Sequence, residues 1–186
     1  MLTLQTPWCE HWQPEMIGTL LFLVVQDRVL LIEKKTGHGK GKINGPGGKW
    51  EVGESLLQCA RRETLEETGL VVEPLGCAAE LRFVEQDGPQ WLGYVFVAKD
   101  YQGQMVETPE AKPFWCSRSG IPYRQMWADD AIWLPQVLEH GILTGQGETK
   151  PLVLDLLFTA GELVAHQISE QSALSLAVDL PRQASA

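Results

Sequence analysis

Residues 48–70 read GKWEVGESLLQCARRETLEETGL, and this stretch predicts a loop, a helix and the start of a strand. Good helix formers occupy residues 55–68, Ser55 suits the N-cap position, and Gly69 stands where a helix should stop. At 100° per residue, Glu63, Glu66 and Glu67 lie on one side of the last two helical turns. The segment therefore predicts a helix with clustered carboxylates.

Clustered carboxylates of this kind suit a metal site. Like charges three and four residues apart repel each other, and a divalent cation would turn that repulsion into binding energy. Hard oxygen ligands favour Mg²⁺, with Mn²⁺ as a substitute, and either ion could bridge phosphate oxygens during attack by water. The alternative is a solvated acidic helix face, in which the glutamates bind no metal ion.

The other residues of the helix predict how it packs. Leu57, Ala60 and Thr64 are expected to face a sheet, and the Thr64 hydroxyl then needs a hydrogen-bond partner. Glu54, just before the helix, is expected to fold back towards the carboxylates. Arg62 is expected to brace them rather than to exchange protons, because a guanidinium stays charged.

Working outward, the chain predicts a mixed α/β protein. Met16–Val25 and residues 28–33 predict two paired strands around Gln26 and Asp27, and residues 34–53 predict a shaped loop, since seven of those twenty residues are glycine. The remaining predicted elements are strands at 70–72, 77–84 and 91–98, a helix near 128–140, and a hairpin around residues 159–161.

These elements divide the chain into three expected parts. Residues 1–15 form an N-terminal extension, residues 16–140 the main domain, and residues 141–186 a C-terminal hairpin and tail packed on or beside that domain. The tail from about residue 169 shows little pattern, and its last residues are expected to fray.

Composition narrows the functional classes. The net charge of -9, from 24 acidic and 15 basic residues, argues against a broad nucleic-acid surface, so no nucleic-acid polymer is expected as a partner. The first apolar run is too short to cross a membrane, and no signal peptide is apparent. The four spaced cysteines predict free thiols in a cytoplasmic protein, and Cys9 and His11 are too few ligands for a structural zinc site. A monomer or a homodimer is expected.

Residues 48–70 resemble the catalytic box of the Nudix hydrolases, G-x5-E-x7-R-E-U-x-E-E-x-G-U, where U is aliphatic. One position departs from the pattern, because Thr64 stands at the first U. The matching residues are Gly48, Glu54, Arg62, Glu63, Glu66, Glu67, Gly69 and Leu70.

The resemblance implies an α/β/α sandwich built on a mixed sheet, here with an added C-terminal β-hairpin. It also implies metal-dependent cleavage of a nucleoside diphosphate linked to another group. Glu63, Glu66 and Glu67 would hold the ions, with a backbone carbonyl at Gly47 or Gly48, and Glu67 is the first choice as general base.

Two further segments resemble the oxidised purine nucleoside triphosphatases of that family, which act on 8-oxo-dGTP. These are GKGKINGPGGK at residues 39–49 and MWADD at residues 126–130. The resemblance assigns purine binding to Asn44, Asp129 and Asp130, with Trp127 against the ring. A carboxylate can accept from guanine N–H groups, and a neighbour that keeps its proton can donate to an oxo group.

Further matches and departures accompany these segments. Glu110 takes the position of an additional metal-linked glutamate, Trp133 also matches, and Lys34 could meet phosphates, as could Lys35 and Lys49. Ala128 replaces the usual proline, and His38 and Pro46 stand where aromatic residues can occur.

Three hypotheses remain open on the sequence. The leading one is a Mg²⁺-dependent diphosphohydrolase that cleaves oxidised purine nucleoside triphosphates to the monophosphate and pyrophosphate. A second is a Nudix hydrolase of another nucleoside diphosphate-linked small molecule, for which Asn44 and Asp129 would matter little. A third is a Nudix-fold module that binds a nucleotide without cleaving it, although all four box glutamates are retained.

Overall fold

The computed structural model describes residues 13–86, 88–144 and 151–170. Within these ranges the chain forms eleven strands, two α-helices and two short 3₁₀ turns at Arg118–Gly120 and Tyr123–Gln125. The strands and α-helices in chain order are β1 (Met16–Val25), β2 (Arg28–Lys34), β3 (Ile43–Asn44), β4 (Gly47–Lys49), α1 (Leu56–Thr68), β5 (Leu70–Val72), β6 (Gly76–Glu85), β7 (Trp91–Ala98), β8 (Tyr101–Gly103), β9 (Ala111–Ser117), α2 (Asp130–Thr144), β10 (Leu152–Thr159) and β11 (Glu162–Glu170).

Strand β1 is the centre of a mixed sheet. Its residues from Met16 to Leu23 pair in parallel with β7, and Val24 and Val25 then pair antiparallel with β2. The strand order is β11-β10-β6-β7-β1-β2-β3, with β4 also on β1, β9 also on β2, and β5 paired with β8 in a separate ribbon. The predicted pairing of the first two strands is confirmed, although β7 is the longer partner of β1.

Two hydrophobic clusters cover opposite faces of this sheet. Leu21 and Tyr94 pack on the side of α1, whereas their neighbours Phe22 and Val95 pack on the side of α2. Successive residues of a strand point to opposite faces, so strands buried on both sides read as continuous apolar runs. The predicted α/β fold, with a helix on each face of a mixed sheet, is confirmed.

The predicted C-terminal hairpin is also confirmed. Strands β10 and β11 pair antiparallel around Ala160 and Gly161, which both adopt left-handed backbone conformations (φ 52° and 77°), as tight hairpin turns require. Strand β10 then pairs in parallel with β6, from Leu152 opposite Ala79 to Phe158 opposite Glu85. The hairpin therefore widens the main sheet by two strands at one edge.

Two expectations about the helices need correction. Leu57 does not face the sheet, because 40% of it is exposed, and the buried stripe of α1 instead runs through Ala60, Thr64, Glu67 and Thr68. Small side chains at 60, 64 and 68 let the helix approach β1 closely. The second helix begins at Asp130 rather than at residue 128, and it continues to Thr144.

Several expectations fall on residues that lack a structural description. The polar lead with Cys9 and His11, and the tail after residue 170, lie outside the described residues. Ser169 and Glu170, assigned to the tail by pattern, belong to β11. The other three cysteines, Cys59, Cys77 and Cys116, are free thiols.

Candidate active site

The helix α1 is fixed at both ends by its own residues. The Ser55 hydroxyl accepts the Gln58 N–H at 3.2 Å, and the Gln58 side chain accepts the Ser55 N–H at 2.7 Å. At the other end Gly69, with φ 75°, donates its N–H to the Leu65 carbonyl at 2.8 Å. These predicted caps are confirmed, and they set the rotation at which the carboxylates of α1 emerge.

Arg62 joins the loop before α1 to the carboxylates of the helix. Its Nε and Nη2 donate to the two carboxylate oxygens of Glu54 at 3.0 and 2.7 Å, so Glu54 folds back as expected. Its Nη1 donates to Glu63 at 2.8 Å and to Glu66 at 3.2 Å. The bond to Arg62 holds the pKa of Glu54 below its usual range, and Glu54 in turn raises the pKa of Arg62.

Glu67 lies in the middle of the buried face of α1, with 1% of the residue exposed. Its Oε2 accepts the Gly47 N–H at 2.9 Å, and its Oε1 accepts from Lys34 Nζ at 3.2 Å. Burial raises the pKa of Glu67 even though Lys34 acts in the opposite direction. A carboxylate whose pKa is raised in this way accepts a proton more readily than an ordinary glutamate.

Glu63 lies directly against the backbone of Gly48. A β-carbon at position 48 would collide with the Glu63 carboxylate, so only glycine allows the loop to approach this closely. Burial raises the pKa of Glu63, and Glu66 adds to that effect. The Thr64 hydroxyl, which needed a partner, donates to the Ala60 carbonyl at 2.7 Å.

The side chains named as metal ligands fit a hard divalent cation in chemistry. Glu63 and Glu67 are desolvated carboxylates beside the backbone of Gly47 and Gly48, and the Glu66 carboxylate is half-exposed. Within the described ranges, however, no three Asp, Glu, His or Cys side chains are gathered into a ready-made metal cluster. The carboxylates are held by Arg62 and Lys34 instead, which offset their charge.

A second group of buried carboxylates lies at the start of α2. The Asp129 carboxylate accepts the Trp133 indole N–H at 2.9 Å, and the Asp130 carboxylate accepts the Trp127 backbone N–H at 2.9 Å. Burial and the charge of Asp129 raise the pKa of Asp130 to about 8, and burial also raises the pKa of Asp129. Asp130 therefore keeps its proton at neutral pH and can donate it in a hydrogen bond.

Trp127 is surrounded by the glycine-rich loop at residues 37–42. The His38 imidazole stacks on its ring, with centroids 5.0 Å apart and planes 14° apart, and the Lys42 ammonium lies 4.8 Å from the ring centroid. His38 also stacks on Trp91, with centroids 5.2 Å apart. Sequence reasoning assigned Trp127 but not Lys42 or Trp91; position 91 gave no local signal, because only the pairing of β7 with β1 brings it here.

The remaining assigned residues are less closely joined to either group. The Asn44 side-chain oxygen accepts the Gly45 N–H at 2.8 Å. Among hydrogen bonds of the described residues, none links Asn44 to Asp129 or Asp130. Glu110 is exposed, and it contributes its backbone carbonyl to the Lys35 N–H at 2.8 Å. The Lys35 ammonium binds Glu107. Of the three lysines expected to meet phosphates, Lys34, Lys35 and Lys49, only Lys34 has a hydrogen bond to a box carboxylate within the described ranges.

One loop connects the two groups. Lys34 and Gly47 contact Glu67, and between them in sequence His38 and Lys42 contact Trp127. The family model of the NUDIX domain matches residues 15–137, and these include every residue of both groups. The chain belongs to the Nudix hydrolase family.

Similar proteins agree with this family membership. An oxidized purine nucleoside triphosphate hydrolase of Danio rerio is 43% identical over 122 residues, which cover 65% of this chain and 78% of that protein. An 8-oxo-dGDP phosphatase of Homo sapiens is 35% identical over 107 residues, covering 55% of this chain and 32% of that protein. The crystal structure of a MutT protein from Bacillus halodurans has a TM-score of 0.68 and 28% identity, covering 82% of this chain and 97% of that one.

The match to the NUDIX domain includes the box but not the C-terminal hairpin, since β10 and β11 follow the matched region. No helix within the described residues is long and apolar enough to span a membrane.

Proposed function

We propose that this Nudix hydrolase is a Mg²⁺-dependent nucleoside triphosphate diphosphohydrolase that acts on oxidised purine nucleotides such as 8-oxo-dGTP. Its products are the nucleoside monophosphate and pyrophosphate. The observation that carries the proposal is the buried pair Asp129 and Asp130 beside Trp127, reached by the same loop that contacts Glu67. The oxidized purine nucleoside triphosphate hydrolase of Danio rerio supports the substrate class.

The two aspartates can play different hydrogen-bonding roles. Because the pKa of Asp130 is raised to about 8, it is a donor at neutral pH, and Asp129 bound to the Trp133 indole is the acceptor. Oxidised purines present both kinds of group on one ring system, an oxo oxygen and additional N–H groups. A donor and an acceptor side by side therefore suit an oxidised base, and Asn44 adds an amide that can serve in either role.

At the other end of the substrate, Glu63, Glu66 and Glu67 would hold Mg²⁺ with the carbonyl of Gly47 or Gly48, and Glu110 would contribute from its exposed position. A Mg²⁺ ion held there would supply positive charge that offsets the negative charge of the phosphate groups. We assign to Glu67 the acceptance of the proton from the attacking water, because it is the most deeply buried of the box carboxylates, with 1% of the residue exposed.

Arg62 keeps Glu54, Glu63 and Glu66 in place through its hydrogen bonds. The Lys34 ammonium, which donates to Glu67, is the basic group beside the box that can also meet a phosphate. The acidic protein thus binds an anionic substrate through its cation and a small number of local basic groups rather than through a basic surface.

A substrate panel tests the proposal. We expect kcat/KM for 8-oxo-dGTP to exceed those for dGTP, ADP-ribose and dinucleoside polyphosphates, and Asp129→Asn to lower it about 100-fold by removing one acceptor. Asn44→Ala should lower it about tenfold. Asp100→Asn, at an exposed position, is the control and should have no effect. Equal rates on 8-oxo-dGTP and dGTP would falsify the base preference.

The relatives favour one second candidate. The 8-oxo-dGDP phosphatase of Homo sapiens indicates that a nucleoside diphosphate could be the substrate, and 8-oxo-dGDP therefore belongs in the panel. A higher kcat/KM on 8-oxo-dGDP than on 8-oxo-dGTP would decide for that candidate. A Glu67→Gln variant that cleaves 8-oxo-dGTP at the wild-type rate would instead remove Glu67 from catalysis.

We also propose that the protein works in the cytoplasm as a monomer or homodimer, with small nucleotides rather than nucleic acid or membranes as partners. The free thiols of Cys59, Cys77 and Cys116 suit a reducing compartment. Light scattering of the purified chain measures the oligomeric state, and cell fractionation measures the location.

A further inference from the structure

The imidazole of His38 lies between two indole rings. Its centroid is 5.2 Å from that of Trp91 and 5.0 Å from that of Trp127, with planes 28° and 14° from parallel. Both indoles are half-buried. Trp91 is the first residue of β7, and Trp127 lies in the turn before α2. One planar ring, the imidazole, is therefore stacked on both indoles.

His38 is held in this space by stacking alone. The residue is exposed, and across the described residues its side chain takes part in no hydrogen bond or ion pair. A single stacked aromatic pair is a weak interaction. A planar ligand that stacks better than an imidazole could therefore displace it.

The backbone around His38 is suited to such a movement. Gly37 and Gly39 flank it with φ 68° and 81°, and Gly41 follows with φ 83°. A side chain added at Gly37 or Gly41 would meet nothing within 4 Å, so neither residue is packed against a neighbour. A change of backbone conformation at these glycines can release His38, at the cost of the contact of Gly39 with Trp127 and of the hydrogen bond from the Gly41 N–H to the Lys34 carbonyl at 2.7 Å.

The polar surroundings of the same space suit the edge of a base. The Trp127 backbone N–H donates to Asp130, and Lys42 lies 4.8 Å from the Trp127 ring and lowers the pKa of Asp130. Hydrogen-bonding groups therefore border an aromatic slot that an imidazole fills. A purine is planar like an imidazole and has a larger stacking surface.

We propose that His38 occupies the base-stacking slot of the enzyme as an internal competitor, and that the purine displaces it to stack between Trp91 and Trp127. This inference rests on the proposed function and adds two residues to it. Trp91 is the second wall of the slot, and His38 sets how much free enzyme is ready to bind. Apparent affinity is reduced by the fraction of molecules whose slot is closed.

Calorimetric titration of the full-length protein with 8-oxo-dGMP and dGMP, in EDTA, tests both residues. We expect His38→Ala to bind the better of the two about fivefold more tightly, because the competitor is gone. Trp91→Leu should bind it about tenfold more weakly, because one stacking face is lost. Thr36→Ala, an exposed change in the same loop, should bind like the wild type.

Proton NMR of the histidine rings gives a reading that does not depend on affinity. Ring currents of two indoles should shift the His38 ring protons upfield in the free protein, and saturation with the monophosphate should return them towards ordinary values. The chain has four histidines, so the resonances missing from His38→Ala identify His38. Upfield shifts that persist at saturation would overturn the displacement.

The remaining outcomes separate this inference from the proposed function. If His38→Ala binds the monophosphate as the wild type does or more weakly, His38 does not compete with the base. If Trp91→Leu binds it as the wild type does, Trp91 does not form a wall of the slot. Equal binding of 8-oxo-dGMP and dGMP refutes the base preference while the effect of His38→Ala still decides the slot. Measurable binding by His38→Ala but not by the wild type supports His38 as an internal competitor. No binding by either the wild type or His38→Ala overturns that role.

Discussion

Replacing Asp130 by asparagine should make the protein more stable at neutral pH. Burial and the neighbouring charge of Asp129 raise the pKa of Asp130 from an ordinary 3.8 to about 8. At about pH 7 the unfolded chain is ionised at this position and the folded chain is protonated, so folding must take up a proton. Asparagine is neutral in both states, and its side-chain oxygen can still accept the Trp127 N–H.

The size of the effect follows from the shift. About three pH units separate pH 7 from the ordinary pKa, and at 1.36 kcal/mol per unit proton uptake costs about 4 kcal/mol. Relaxation around the buried group reduces this, so we expect Asp130→Asn to raise the free energy of unfolding by about 2–4 kcal/mol. The sign follows from linkage: a raised carboxyl pKa lowers stability as pH rises from about 4 to about 8.

Urea unfolding across this pH range measures the effect. The difference between Asp130→Asn and the wild type should be near zero at about pH 4, grow by about 1.4 kcal/mol per unit between about pH 5 and 7, and level off above about pH 8. Asp100→Asn is the control, since this aspartate is exposed. A difference that does not change with pH would refute a buried, protonated Asp130.

Three further changes test the site and its frame. Glu67→Gln should lower kcat on 8-oxo-dGTP about 10²–10⁴-fold and weaken Mg²⁺ binding in calorimetry, with circular dichroism unchanged; wild-type turnover would contradict a role as base. Trp133→Phe removes the donor to buried Asp129 and should cost about 1–3 kcal/mol in urea unfolding, and a cost of zero would show that the bond contributes nothing. Gly69→Ala should cost about 1–2 kcal/mol, because φ is 75° and a β-carbon would meet Gln104 O at 3.0 Å; Gly76→Ala, where nothing lies within 4 Å, should cost less.

Much of the fold could be predicted because its signals are local. Ser55 and Gly69 mark the ends of α1, and Gln26 with Asp27 marks the turn between β1 and β2, since capping and turn formation involve residues a few positions apart. The strands β3, β4, β8 and β9 were not predicted. They owe their conformation to pairing with distant strands, for example β9 with β2, and this leaves little trace in their own residues.

The candidate site was predicted unevenly for the same reason. The hydrogen bonds of Arg62 to Glu54 join residues eight apart, and this contact was predicted. The exposure of Leu57 was not predicted, because it depends on where the sheet meets the helix. The angular positions of the carboxylates suggested a polar side distinct from the packing side. In the structure Glu67 lies within the packing side.

The box from residue 48 to residue 70 could thus be recognised from the sequence alone. Its spacing determined the family, the helix and the carboxylates, since i+3 and i+4 relations follow from helical geometry. Tertiary structure decided which carboxylate is buried, that Asp130 keeps its proton, and that His38 lies between Trp91 and Trp127. Burial and stacking join residues dozens of positions apart, and only the folded chain sets those distances.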